Sequence, residues 1–228
     1  MQKAVLTIAF DDGYLDTYRY AISYLDKIGI KCTFAVPVKL IGNTCEKRPV
    51  LNWRHLKKMK ANGHEIASHA LYHRRLIREP EIVRSKQILQ NYLGIKISSF
   101  VYPYISKRPN KTIRDIVENN YSSSRISKNF SVFNRLPVKN SYNLKGFCIM
   151  RNHPLPYLIH QIDKAVKTKS WLIEVFHLVG KKNTKSAHRN KPYRFFMHID
   201  DFKRHIDTVL SKNIEILTQK KVVRRYVH

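Results

Sequence analysis

The chain has 228 residues, 43% of them hydrophobic, which suits one domain over residues 1–228 with a real core and excludes global disorder. Lys and Arg total 43 against 16 Asp and Glu, a formal net charge of +27. That balance favours anionic partners (phosphoglycans, acidic lipids or nucleic acid) or a solvated basic surface, because the basic residues are spread along the chain rather than blocked.

Short apolar runs alternate with helical patterns along the whole length. The predicted strands are Ala4–Phe10, Cys32–Pro37, Glu65–Ser68, Ser99–Tyr102, Tyr121–Arg125, Phe147–Met150, Trp171–Phe176 and Glu215–Thr218. Between them lie predicted helices over Leu15–Lys27, Trp53–Ala61, Glu79–Leu93, Lys111–Asn119, Leu155–Lys167 and Ile199–Leu210. In the first helix Tyr18, Ile22 and Leu25 recur at the spacing of an amphipathic face. Strands alternating with helices imply βαβ units and a parallel sheet. Seven or eight of them in one domain point to an α/β barrel, whole or distorted, with its chemistry at the C-terminal strand ends.

The unusual polar residues fall at those ends. Asp11 and Asp12, closed by Gly13, follow the first strand. His69 and His73 follow the third, Tyr102-Pro103-Tyr104 closes the fourth, Arg125 ends the fifth and His177 follows the seventh. His69 and His73 are four residues apart, so a single turn or tight loop can aim both imidazoles at one point. With a carboxylate they make a three-ligand site for Zn²⁺ or a similar ion. Alone, the pair reads equally as two surface histidines, and Asp-Asp-Gly as an ordinary turn. Two crowded carboxylates are not both cheaply ionised unless a cation intervenes, and a metal held by one leaves the other free to accept a proton. His64 precedes its strand and reads as structural.

Cys32 and Cys148 lie in apolar runs and are expected to be buried. Cys45 lies in a polar loop and is expected to be exposed, and the odd count without a CxxC spacing argues against a disulfide framework. No signal peptide is visible ahead of the first strand, so the expected location is cytosolic or a leader-trimmed extracytoplasmic form. No apolar run approaches the ~20 residues of a membrane span, which leaves peripheral membrane contact open.

"IAFDDGY" followed by "GHEIASHALYH" resembles the first two signature motifs of the polysaccharide deacetylases, the NodB-homology group or carbohydrate esterase family 4. "FVYPYI" resembles the third motif in its Tyr-Pro-Tyr variant, and "WLIEVFHLVG" resembles the last, an apolar strand ending in histidine. The four stand in family order over about Lys3 to Gln219. The resemblance implies a distorted (β/α) barrel of about seven parallel strands and a metal-dependent N-deacetylase. On that resemblance Asp12, His69 and His73 bind the metal, Zn²⁺ first with Co²⁺ or Ni²⁺ as alternatives. Asp11 is the general base, His177 the general acid, and the backbone N–H of Tyr104 with the metal stabilises the oxyanion. The implied substrate is an N-acetylated glycan, anionic or lipid-linked in some readings.

Two departures stand out. In the better-known third motif an arginine pairs with the base, and that position here is Val101. Arg125, at the end of the next predicted strand, is the replacement expected to pair with Asp11. The family's acidic, Trp-containing fourth motif is not clearly present. Asp16 reads as an N-terminal helix charge, and Trp171 as packing. Tyr14, Tyr72, Tyr102 and Tyr104 read either as sugar-stacking rings or as core. The basic stretch from Lys181 to Arg194 reads as a cover contacting an anionic substrate or as a solvated loop. Two other functions remain in view: deacylation of a small or lipid-linked amide, and a non-catalytic basic module for anionic polymers. No helix-turn-helix, zinc-finger or RNP-like motif supports nucleic acid.

Overall fold

Residues 2–75, 77–104, 109–181 and 193–227 are described by a computed structural model of the chain. Seven strands form the barrel: β1 (Ala4–Phe10), β2 (Thr33–Val36), β3 (Glu65–Ser68), β4 (Ser99–Val101), β5 (Ser123–Lys128), β6 (Leu144–Cys148) and β7 (Trp171–Phe176). Each pairs in parallel with the next, and β7 pairs back onto β1 from Val5↔Trp171 to Phe10↔Phe176, which closes the ring. This is the α/β barrel expected from the alternating pattern.

The distortion has a simple cause. β2 meets β1 only at Ala9 and Phe10. The first half of β1 pairs instead with β8 (Ile214–Ile216), from Ala4↔Ile214 to Leu6↔Ile216. On the far side, Phe133–Asn134 runs antiparallel along the start of β7, below the point where β6 joins it. The ring is therefore complete near the C-terminal ends and splayed near the N-terminal ends.

Period-two alternation sorts the side chains. Leu6, Ile8, Phe10, Phe34, Phe147 and Phe176 face the surrounding helices, packing with Ile22, Leu25, Leu158, Ile162, Phe202 and Ile206. The opposite face fills the barrel. Ala35, Ala67 and Val101 occupy one half, and Val5, Ala9, Trp171, Ile173 and Val175 the other. Trp171 is fully buried and its indole N–H donates to the Thr7 hydroxyl at 2.9 Å, as a packing residue with a satisfied polar tip should.

The interior floor is polar. Thr33, Glu65, Ser99 and Ser123, the first residues of β2 to β5, are all buried. Glu65 accepts from the Thr33 hydroxyl at 2.9 Å, the Ser99 hydroxyl at 2.5 Å and the Lys220 N–H at 2.8 Å. Gln219 donates to Ser123 at 3.0 Å. Gln219 opens a C-terminal helix, Gln219–Tyr226, capped by Thr218, and this helix plugs the splayed end. The sequence pattern had extended a strand through Thr218; the residue instead caps that helix.

Three helices match their predicted bounds (Trp53–Ala61, Glu79–Leu93, Ile199–Leu210). The Leu15–Lys27 segment is helical but contains a π-turn over Tyr18–Ile22, between Leu15–Thr17 and Ser23–Lys27. Thr17 in its first turn ties the segment to the barrel, donating to the His177 carbonyl at 2.8 Å and accepting from the Val179 N–H at 3.1 Å. Five predicted strands shift at one or both ends, two of them by more than one residue at the start, and β5 runs past Arg125, expected as its last residue, to Lys128. β5 starts at Ser123 because small hydroxyl residues line the polar floor. β6 starts at Leu144 and runs through Gly146, which the pattern had placed outside the strand.

Candidate metal centre and active site

The parallel barrel strands end at one rim, and three of the turns that leave them are sharp. Asp12 (φ 70°), Ala70 (φ 62°) and Tyr104 (φ 53°) all adopt the left-handed backbone region. Asp tolerates that region better than most residues; Ala and Tyr do so at a cost that is stored at functional turns. Gly13 follows Asp12 with φ 74°, and a Cβ there would lie 3.0 Å from Val36 Cγ2 and 3.2 Å from Val50 Cγ1. Only glycine fits both the angle and the space.

These turns bring the carboxylate of Asp12 and the imidazoles of His69 and His73 together. Their ligating atoms all lie within 4.8 Å of one another. The Nε2 atoms of His69 and His73 are 3.4 and 3.1 Å from Asp12 Oδ1. Neither ring presents an aligned N–H to that oxygen, so Asp12 Oδ1 is buried without a hydrogen bond. A buried oxygen facing two imidazole nitrogens fits a divalent cation. His69 is oriented for it: Nδ1 lies 2.8 Å from the Val101 carbonyl, which as acceptor fixes the proton on Nδ1 and leaves the Nε2 lone pair facing inward.

The electrostatics agree. Burial alone would raise the Asp12 pKa, but the adjacent His69 and His73 rings and the charge of His177 hold it well below the usual carboxylate range. Burial alone would lower that of His73; contacts with Asp12 and Cys45 push it up to about 10. The cluster is built to hold positive charge.

Asp11 sits beside this centre, 2% exposed. Arg125 grips it from inside the barrel: Nη1 donates to Asp11 Oδ2 at 3.1 Å and Nη2 to Oδ1. Nη1 also reaches the Ser127 hydroxyl at 3.0 Å. Gly146 lies beside the guanidinium, where β6 and β7 approach closely. A Cβ at Gly146 would lie 2.5 Å from Val175 Cγ2 and 3.4 Å from Arg125 Nη1.

His177 follows β7, with its ring stacked on Phe195 at 4.6 Å and Nδ1 buried without a partner. Asp11, Asp12, His69, His73, Tyr104 and His177 line one cavity of about 350 Å³. Tyr104 stands at its rim, 47% exposed, with its ring 4.0 Å from that of His73. Arg125 lies behind the cavity wall, touching it through Asp11.

Other residues are placed as follows. Tyr102 lines the cavity, while Tyr72 lies outside it under Arg74. Tyr14 is buried, 3.1 Å from the Tyr193 hydroxyl. His64 packs away from the site, bonded to Asp26 and the Cys32 N–H. Asp16 lies in a first helical turn, 3.8 Å from Arg19. The expectation for Cys45 is overturned: it is 2% exposed. It belongs to a small hairpin, Thr44–Cys45 with Arg48–Pro49, whose alternation turns the thiol inward against His73. Of the basic stretch from Lys181 to Arg194, residues 182–192 lie outside the described residues.

The same hairpin brings Glu46, which the sequence reading did not single out. Its Oε1 accepts from the Tyr104 hydroxyl at 2.7 Å and stands 3.8 Å from His73 Nδ1. The available signal was scarcity, since an acid in a loop is uncommon in a chain with 16 acidic residues.

A family model for polysaccharide deacetylase matches residues 1–122. The chain belongs to that family. The matched span holds Asp11, Asp12, His69, His73 and Tyr104, and stops short of Arg125 and His177. YxkH of Bacillus subtilis (strain 168) is 32% identical over 108 residues, which is 45% of this chain and 37% of that protein. The chain thus matches well under two thirds of that relative's length. The structure of IcaB from Ammonifex degensii aligns with a TM-score of 0.56 at 21% identity, over 68% of this chain and 71% of that one. The Bc1960 peptidoglycan N-acetylglucosamine deacetylase aligns with a TM-score of 0.61 at 15% identity, over 96% and 88%. At such identities the two structures bear on the barrel fold alone.

Within this family member the Val101 departure has a geometric answer. Val101 and Arg125 are register partners on β4 and β5. Val101 fills the barrel interior, and the arginine comes from the same level of the neighbouring strand. A guanidinium is long enough to reach Asp11 from there.

Proposed function

We propose that this polysaccharide deacetylase is a metal-dependent hydrolase that removes N-acetyl groups from amino sugars of a glycan. The observation that carries the reading is the juxtaposition of the Asp12, His69 and His73 cluster with a second carboxylate, Asp11, that is separately paired to Arg125. Asp12, His69 and His73 would hold a divalent ion, Zn²⁺ by their nitrogen and oxygen donors. When bound, such an ion polarises an amide carbonyl and acidifies water beside it.

The chain's own groups supply the rest. Asp11 takes the proton of the attacking water, and Arg125 holds it oriented for that task. His177 protonates the leaving amine as the C–N bond breaks, so that acetate and a free amino sugar result. The backbone N–H of Tyr104, in its left-handed turn, is the candidate donor to the oxyanion. The cavity is of a size to take one sugar residue with its acyl group.

The test is acetate release from N-acetylglucosamine oligomers. Chelation should abolish it and Zn²⁺ or Co²⁺ should restore it. Absence of acetate from every N-acetylated glycan tried with metal-loaded protein would overturn the reading.

A further inference from the structure

Next to the metal centre lies a second, larger groove of about 840 Å³. Its lining combines the apolar Leu71, Pro80 and Ile88 and the carboxylate of Glu81 with Lys39, Arg74, Arg75, Arg78 and Arg84. We infer that this groove binds a phosphoryl group carried by the substrate, an inference that rests on the N-deacetylase reading for what the substrate is.

The side chains are of the right kind. Four of the five cations are arginines, whose planar fork matches phosphate oxygens in pairs. All five are exposed, so none is spent on the core. Among the described residues, none of them pairs with a carboxylate. The acid that lines the groove, Glu81, is occupied: its Oε2 accepts from the Arg78 N–H at 3.2 Å as a helix cap. Five cations thus converge on one concavity against a single carboxylate, Glu81, an excess of four positive charges.

Aromatic rings fix two of the guanidinium planes. Arg74 stacks over Tyr72 at 4.4 Å, and Arg75 lies over Tyr104 at 5.6 Å. Such stacking reduces the freedom an arginine loses on binding.

Position gives the groove its meaning. Arg75 lines both this groove and the cavity of the metal centre, and Tyr104 beneath it belongs to the latter. A ligand whose acyl amide lies at Asp11 therefore extends past Arg75 into the groove. The chemistry that matches is a phosphate or diphosphate attached near the sugar. It can come from a lipid-linked amino sugar or from a phosphorylated glycan. The apolar part of the lining suits either.

Two readouts test this. First, binding of inorganic phosphate to the metal-loaded full chain is followed by ³¹P line broadening. The Arg74→Ala/Arg84→Ala double variant should weaken it about tenfold, the scale of a lost charge-assisted bond. A Lys164→Ala/Lys167→Ala double variant, with the same charge change on the exposed face of the distant helix Leu155–Thr168, should bind as wild type does. Second, kcat/KM for acetate release is compared for a neutral oligomer, a phosphorylated oligomer and a diphosphate-linked lipid carrier. The ratio of phosphate-bearing to neutral substrate should exceed one and fall about tenfold in the arginine variant. Whichever phosphate-bearing substrate shows the larger ratio identifies the source.

Equal loss of phosphate binding in the arginine and lysine variants would overturn the inference, as would a ratio the arginines do not change. If no substrate releases acetate, the proposed function fails, and the phosphate titration still decides the groove. Because both arginines are exposed, an unchanged unfolding transition in the variant separates binding from folding.

Discussion

Arg125 and Asp11 lie 114 residues apart in the chain and meet as a two-pronged ion pair inside the barrel, with both side chains almost wholly shielded from water. Charges so placed are costly to separate. Arg125→Ala should lower unfolding free energy by about 3–5 kcal/mol, because it leaves a buried carboxylate alone. Denaturant unfolding checks this. Arg125→Ala paired with Asp11→Asn should recover part of the loss, since the orphaned charge is then gone.

Gly146→Ala tests the close approach of β6 to β7 beside Arg125. The added methyl meets Val175 Cγ2 at 2.5 Å and Arg125 at 3.4 Å, so the barrel must shift. A loss of about 1–3 kcal/mol is expected, with reduced turnover as Asp11 is displaced. A neutral substitution would mean that Val175 gives way without cost.

Much of the site was legible because its residues sit at the ends of apolar runs. Asp11, Asp12, His69 and His177 follow strands whose hydrophobic content is plain, and a parallel barrel puts all such ends on one rim. Arg125 was legible as a strand arginine near the rim, although β5 runs past it to Lys128, and it shares a register level with Val101. The rest depended on tertiary closure. Glu46 and Cys45 reach His73 through a short hairpin whose polar composition reads as loop. Gly146 reads as a breaker until Val175 of the neighbouring strand is seen packed against it. The helix Gln219–Tyr226 is mostly polar, and it buries Gln219, Val222 and Val223 only because the barrel is open at that end.

The metal ligands predict a stability effect. Zn²⁺ bound by the native state but not the unfolded one raises Tm, by an amount that grows with free ion concentration. His69→Ala and Asp12→Ala should each abolish that increase in a thermal scan while leaving the far-UV spectrum folded. Lys164→Ala should not alter it.

The polar floor predicts a pH effect. Burial raises the Glu65 pKa above the ordinary glutamate range, more than its bonds from Lys220, Ser99 and Thr33 lower it. The folded state therefore holds a proton that the unfolded state has released. Stability falls as pH rises from the unfolded value through the folded one. Glu65→Gln removes that slope, and its amide oxygen can still accept from the Thr33 hydroxyl and the Lys220 N–H. Urea unfolding of the two proteins between about pH 4 and 7 should show the glutamine variant gaining relative to wild type as pH rises. A constant difference would contradict the assignment.

The central claim is that Asp11 accepts a proton beside a metal that other residues hold. The direct measurement is acetate release by wild type and Asp11→Asn, each loaded with Zn²⁺ and assayed for bound metal. The variant should keep one ion per chain and lose turnover by about 10²–10⁴-fold. Turnover equal to wild type at equal metal content would contradict the account.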